Sequence, residues 1–219
     1  MKASEFIFEG KSMPIIVCDV QPEYAYYGNN SHTCEQIVNY VVSATGPVLM
    51  FVNAEESGVS GDTIENIKKY WEQTAGGRGD EEYGYDEDDN YENNAESVIN
   101  WNRFNVVDKG YGYLRSWMDH GISPAAIIRV IRAMYQHKIS DSRQFEDLEI
   151  DLPAIVGQEW DQWMWSDPIM VEWVSVAQLK KFSGAYIVGG GREECLREVE
   201  LIMNAFNIKY KRVDGLVYG

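Results

Sequence analysis

An acid, a lysine and a cysteine stand where apolar runs give way to polar residues. Asp19 closes Ile15-Ile16-Val17-Cys18, Lys109 follows Phe104-Asn105-Val106-Val107-Asp108, and Cys195 comes a few residues after Tyr186-Ile187-Val188. A carboxylate can take the proton of a thiol, an ammonium can hold the charge of a thiolate or an oxyanion, and a thiolate can attack an electrophilic carbon. Cys195 also follows Gly189-Gly190-Gly191 and falls in the first turn of an expected helix. There, unpaired N–H groups and the positive end of the helix dipole favour the thiolate. The glycines allow close approach of the backbone to a ligand, and their N–H groups are suited to an oxyanion site. Glu193 and Glu194 act in the opposite sense. The helix terminus and Lys109 are expected to prevail and to hold the thiol well below its ordinary value of about 8.5. Taken without its neighbours, Cys195 reads as a small buried hydrophobe, and position alone favours that role.

The elements that must position these residues alternate between strand and helix. Short continuous apolar runs at 14–20, 48–52 and 184–188 have the form of buried parallel strands, and 101–109 and 209–213 read as further strands. Helical spacing of apolar residues appears at 34–42, 62–71, 113–120, 124–137 and 192–206. Strands alternating with helices predict an α/β fold: a three-layer, Rossmann-like parallel sheet with helices on both faces. One domain over 1–219 is expected, with an acidic loop at about 76–96 and an insertion at about 123–183 before the last β-α-β unit. Four tryptophans of that insertion, Trp160, Trp163, Trp165 and Trp173, are expected to pack on the core or on a second copy of the chain.

Composition narrows the partners. The chain has 219 residues, with 45% hydrophobic and 13% aromatic residues, which is the composition of a folding chain rather than a disordered one. Its formal charge of -16, from 35 acids against 19 bases, removes the general attraction to phosphate that underlies non-specific nucleic-acid binding. Three cysteines, Cys18, Cys34 and Cys195, form neither an even framework nor a CxxC pair, so no disulfide and no zinc site is expected. The start of the chain lacks a signal-peptide pattern, and no apolar run approaches the roughly 18 residues of a membrane span, so a cytoplasmic location is expected. Neither GxGxxG nor GK[ST] occurs, which argues against a nucleotide loop, and no cofactor is expected.

Read together, the three sites resemble those of the isochorismatase-like cysteine hydrolases. That family opens with a strand and an Asp-x-Gln triplet, here Asp19-Val20-Gln21 followed by Pro22-Glu23-Tyr24. Its lysine precedes an aromatic stretch and a helix, as in Lys109-Gly110-Tyr111-Gly112-Tyr113-Leu114. Its cysteine comes six residues after a glycine that ends a strand and is followed by a hydrophobic residue, as in Gly189 to Cys195 and Leu196. The resemblance implies Asp19 as base toward the thiol, Lys109 as holder of thiolate and oxyanion charge, and Cys195 as nucleophile on a small amide, carbamoyl or related substrate. Gln21, Gly190, Gly191 and Glu194 are then expected to contact that substrate. Val199 and Glu200 stand where the family has small residues, and would crowd or recharge the pocket. The histidines His32, His120 and His137 are scattered and do not match the metal-binding branch of the family, so no metal is expected.

Two other classes compete. A PIN-like or NYN-like nuclease would gather Asp19, Glu55 or Glu56, Asp62, Asp108 and Glu193 around Mg²⁺ or Mn²⁺. A binding protein on a hydrolase-like scaffold would use the acidic and tryptophan-rich surfaces instead. The partners expected are a small-molecule substrate, no general nucleic-acid binding, no membrane, and a homo-oligomer as an open alternative. The acidic run from Asp80 to Asn94 lacks the ligand spacing of a calcium loop and is read as a solvated surface excursion. Calorimetric titration with Ca²⁺ should therefore show no tight stoichiometric site. Tight binding that Asp88→Asn with Asp89→Asn abolishes would refute this reading.

Overall fold

The computed structural model describes residues 12–26, 30–53, 63–77, 97–109, 111–112, 114–157 and 161–218. The acidic run at 80–94, and Glu55, Glu56 and Asp62 of the nuclease reading, lie outside them. In chain order the elements are β1 (Ile15–Cys18), α1 (Pro22–Tyr26), α2 (Ser31–Ser43), β2 (Val48–Val52), α3 (Ile64–Ala75), β3 (Phe104–Asp108), β4 (Tyr111–Gly112), α4 (Leu114–Asp119) and α5 (Pro124–His137). Then come α6 (Gln144–Asp147), α7 (Leu152–Val156), α8 (Trp163–Ser166), β5 (Met170–Val171), α9 (Trp173–Lys181), β6 (Ala185–Gly189), α10 (Cys195–Ala205) and β7 (Tyr210–Arg212).

Strands β1 and β2 are continuous apolar runs, and every residue of both is buried, as central strands covered on two faces require. The main sheet has the order β3-β2-β1-β6-β7 and all its pairs are parallel. Alternation along β1 separates two cores. Ile16 and Cys18 face the helices α4, α5, α9 and α10, whereas Ile15 and Val17 face α2 and α3. The result is the three-layer α/β architecture of a doubly wound sheet. Helix α2 buries Cys34, Ile37, Val38 and Val41, the stripe expected of an amphipathic helix. Helix α3 is capped by the Thr63 hydroxyl, which accepts from the Asn66 N–H. Helix α5 begins with a Ser123 cap and Pro124 in its first turn.

From β1 the chain winds outward through β2 to β3, then returns across the sheet to β6 on the other side of β1. The carboxyl ends of β1 and β6 therefore flank the point where strand order reverses, the usual ligand crevice of open α/β sheets. Cys18 lies opposite Gly189 in that register, so Asp19 and the glycine run leave the sheet side by side.

The segment expected as an insertion at 123–183 is more deeply integrated than that description suggests. It begins with α5, whose Ala126, Ile127, Val130, Ile131 and Met134 are buried in the same core as Leu196, Val199 and Met203 of α10. This helix covers a sheet face because the return from β3 to β6 must cross that face. The shorter helices α6 to α8, with the β4–β5 pairing, close the end of this layer. Trp173 packs edge-on against Tyr135 and Phe206, and Trp163 stacks on His120, so both serve the chain's own interior. Helix α10 begins at Cys195 rather than at 192 because Gly191 O accepts from Glu194 N and Leu196 N, which closes a turn before the first helical residue. Among the described residues no helix is long and apolar enough to cross a membrane.

Gly189 has φ 77°, and a Cβ there would lie 2.4 Å from the Cys18 carbonyl oxygen. Both the conformation and the close approach of β6 to β1 demand glycine. Gly189→Ala should destabilise the fold by about 2 kcal/mol or more, measured as a fall in the urea midpoint at unchanged m-value.

Candidate functional site

Asp19 is the first residue past β1 and is only 1% exposed. Its φ of 46° lies in the left-handed region, which aspartate tolerates better than most residues. Neighbouring groups hold this conformation. Asp19 N donates to Phe51 O at 2.9 Å, its carbonyl accepts from the Tyr218 hydroxyl at 3.3 Å, and the next carbonyl, of Val20, accepts from Trp71 Nε1 at 2.8 Å. A strained residue fixed from three sides is a common property of functional positions.

Lys109 leaves the end of β3 with its N–H donated to Val52 O at 3.1 Å. Its side chain, 13% exposed, crosses the strand ends so that Nζ lies 3.9 Å from Asp19 Oδ2 and 2.7 Å from Glu198 Oε2. Cys195 opens α10, is partly exposed, and lines one pocket wall with Asp19, close enough for the Asp19 charge to act on its thiol. Among the described residues its own N–H has no backbone acceptor, as expected of a first helical residue. The structure thus brings Asp19, Lys109 and Cys195 together.

A pocket of about 410 Å³ opens over the thiol, lined by Asp19, Tyr24, Asn30, Tyr218 and residues 191–195. Gly191 and Glu194, expected to meet substrate, are on its wall. Glu194 is held by Arg115, with Nη1 at 2.7 Å from Oε1. Gly190 lies behind the wall, its carbonyl accepting from Tyr218 N at 3.0 Å. Gln21 does not reach the pocket. It is fully buried, its Nε2 donating to Asn53 O at 3.1 Å and its Oε1 accepting from Asn53 N at 3.0 Å. It ties the loop after β1 to the loop after β2. The expected crowding by Val199 and Glu200 does not occur. Val199 is in the core, and Glu200 is turned to Arg197 at 3.2 Å and Arg212 at 3.5 Å.

The electrostatics reverse the expectation for the thiol. Burial, then the Asp19 charge, push the Cys195 thiol up to about 12, with the hydrogen bond to Asp19 and the Glu198 charge adding to the rise. Lys109 alone among the main influences lowers it. The opposing carboxylates are therefore Asp19 and Glu198, not Glu193 and Glu194, and Cys195 is held as a thiol. For Lys109, burial favours the neutral amine, but the charges of Asp19, Glu198 and Cys195 outweigh it and raise the ammonium above its ordinary range. Cys18 and Cys34 are buried, and burial raises both thiols.

Glu198 and Tyr218 were not singled out from the sequence. Glu198 follows Cys195 by three residues, so a helix starting at the cysteine puts both on one face; that spacing was available. Tyr218 carries no such signal. Its hydroxyl meets Cys34 Sγ at 3.1 Å, and its backbone pairs with the glycine run, so it joins Asp19 to the turn before Cys195. Among the described residues no group of three His, Cys, Asp or Glu is arranged to hold a metal ion. Of the acids proposed for a nuclease, Asp19 faces an ammonium, a cation that competes with a divalent ion for the same carboxylate.

No protein-family model, no curated protein and no solved structure matches this chain.

These fields predict the behaviour of the thiol toward iodoacetamide. Alkylation of Cys195 should be slow at neutral pH and should accelerate about tenfold per pH unit until the thiol titrates. Asp19→Asn removes the charge and the acceptor that favour the thiol, and should speed alkylation at pH 7. Lys109→Met should slow it. Peptide mapping of the alkylated residue checks both, and a wild-type rate constant across neutral and alkaline pH would contradict the assignment.

Proposed function

We propose that this chain is a cysteine hydrolase of the isochorismatase-like kind, acting on a small amide, carbamoyl or related substrate through Asp19, Lys109 and Cys195. The observation that carries this reading is the convergence of a thiol, a neighbouring carboxylate and an ammonium at the strand-order reversal of the sheet. The pocket over the thiol, of about 410 Å³, falls in the range of small-molecule sites.

In the reaction, Cys195 Sγ attacks the carbonyl carbon while its proton passes to Asp19. The Lys109 ammonium and the Cys195 N–H supply positive charge and a donor toward the oxyanion that forms. Collapse of the tetrahedral species breaks the C–N bond, and Asp19 returns the proton to the leaving nitrogen. A thioester on Cys195 remains. Water, deprotonated by Asp19, then attacks the thioester, and the second collapse releases the acid and restores the thiol. A thiol with a raised pKa suits this sequence, because proton transfer to Asp19 accompanies attack and no free thiolate has to persist in a site with two carboxylates.

The test is hydrolysis of a panel of small primary amides and N-carbamoyl compounds, followed by ammonia release. Cys195→Ser and Asp19→Asn should each lower kcat/KM for any active compound by at least about a hundredfold with secondary structure retained. Undiminished hydrolysis by Cys195→Ser would overturn the proposal.

A further inference from the structure

The cluster contains one carboxylate more than a nucleophile, base and cation require. Glu198 is 6% exposed, and its Oε2 is nearer the Lys109 ammonium than Asp19 is, at 2.7 Å against 3.9 Å. Its other oxygen, Oε1, accepts from the Arg115 backbone N–H at 3.2 Å, which fixes the carboxylate against the start of α4. Glu198 sits on the same helix as Cys195, so its reach to Lys109 is set by the element that carries the thiol. We propose that Glu198 is a positioning residue that holds the Lys109 ammonium between itself and Asp19 and adds to the negative field around the Cys195 sulfur.

The charge count supports this role. With the thiol protonated, two carboxylates share one ammonium. A free thiolate would put three negative charges around that ammonium in a largely buried site, which is unfavourable. Moving the proton from Cys195 to Asp19 during attack leaves the total charge unchanged, and the negative charge passes to the substrate oxygen. Lys109 keeps its proton because the neighbouring negative charges outweigh its burial. Cys18 of β1, Tyr24 of α1 and Arg115 of α4 also interact with the Cys195 charge, and Arg192, Glu193 and Glu194 line the pocket beside it. Cys18 and Tyr24 are neutral at pH 7, and Arg115 is neutralised by Glu194. Glu198 is thus the buried charge that can be altered without replacing the nucleophile, the base or the cation itself. Its catalytic consequence rests on the hydrolase reading; its effect on the thiol does not.

Glu198→Gln removes the charge and keeps one acceptor oxygen, for either Lys109 or the Arg115 N–H. Iodoacetamide alkylation of Cys195 at pH 7 should then be at least about tenfold faster than in the wild-type chain, equivalent to a fall of one unit or more in the thiol pKa. Glu198→Asp, which keeps the charge, should stay within about twofold of wild type. Glu198→Met supplies a second neutral side chain of similar size should Glu198→Gln fail to fold by circular dichroism. A folded neutral variant that alkylates at or below the wild-type rate overturns the role of Glu198, even if the wild-type chain hydrolyses amides. Faster alkylation in a chain that hydrolyses nothing upholds Glu198 and counts against the hydrolase reading alone.

Discussion

A single ammonium set between two buried carboxylates constrains the rest of the site. Lys109 reaches Asp19 from one side and Glu198 from the other, with little solvent to screen any of the three. Such groups are tolerated in an interior only when paired, and removing one partner of a buried pair costs about 3–5 kcal/mol. The pairing therefore fixes where the end of β3 stands relative to β1 and to α10. It also sets the state of Cys195, since the thiol shares the field of both acids and of one cation. The charge balance here favours the thiol over the thiolate.

The sheet delivers these groups to one place through register rather than through sequence proximity. Parallel pairing sets Cys18 opposite Phe51 on one side and Gly189 on the other, so residues leaving β1 and β6 emerge at the same height. Gly189 permits this contact because its lack of a Cβ leaves room for the Cys18 carbonyl. The loops beyond are then tied together. Gln21 clamps the backbone of Asn53, Trp71 holds Val20, and Tyr218 bridges Asp19 to the glycine turn. The ties of Gln21, Trp71 and the Tyr218 hydroxyl each end on a backbone N–H or carbonyl. The strain at Asp19 is held in place by this set.

Much of the fold was legible because its strands are unmixed apolar runs and its long helices have clean stripes. β1, β2 and β6 could be read from residue type alone, and α5 from Pro124 and the spacing of Ile127, Ile131 and Met134. Asp19 and Lys109 lie just past the ends of β1 and β3, and Cys195 opens α10 six residues after β6 ends, so the strand pattern alone points all three to one edge of the sheet. What the sequence hid depends on partners distant along the chain. The role of Gln21 is set by Asn53, and that of Tyr218 by Asp19 and Cys34. The direction of the Cys195 shift is set first by burial and then by the closeness of Asp19, which a linear reading does not give. Likewise α5 looks like part of an insertion until the return from β3 to β6 shows that a helix must cross that face.

The most direct test of a nucleophilic Cys195 is to look for the covalent intermediate. The chain would be mixed with a small activated ester, quenched in acid within the first turnover and measured as intact protein and as peptides by mass spectrometry. The account predicts a mass increase equal to the acyl group, on the peptide carrying Cys195, that disappears on longer incubation as water releases the acid. An adduct confined to other residues, or none at all in a folded chain whose Cys195 remains open to iodoacetamide, would contradict it.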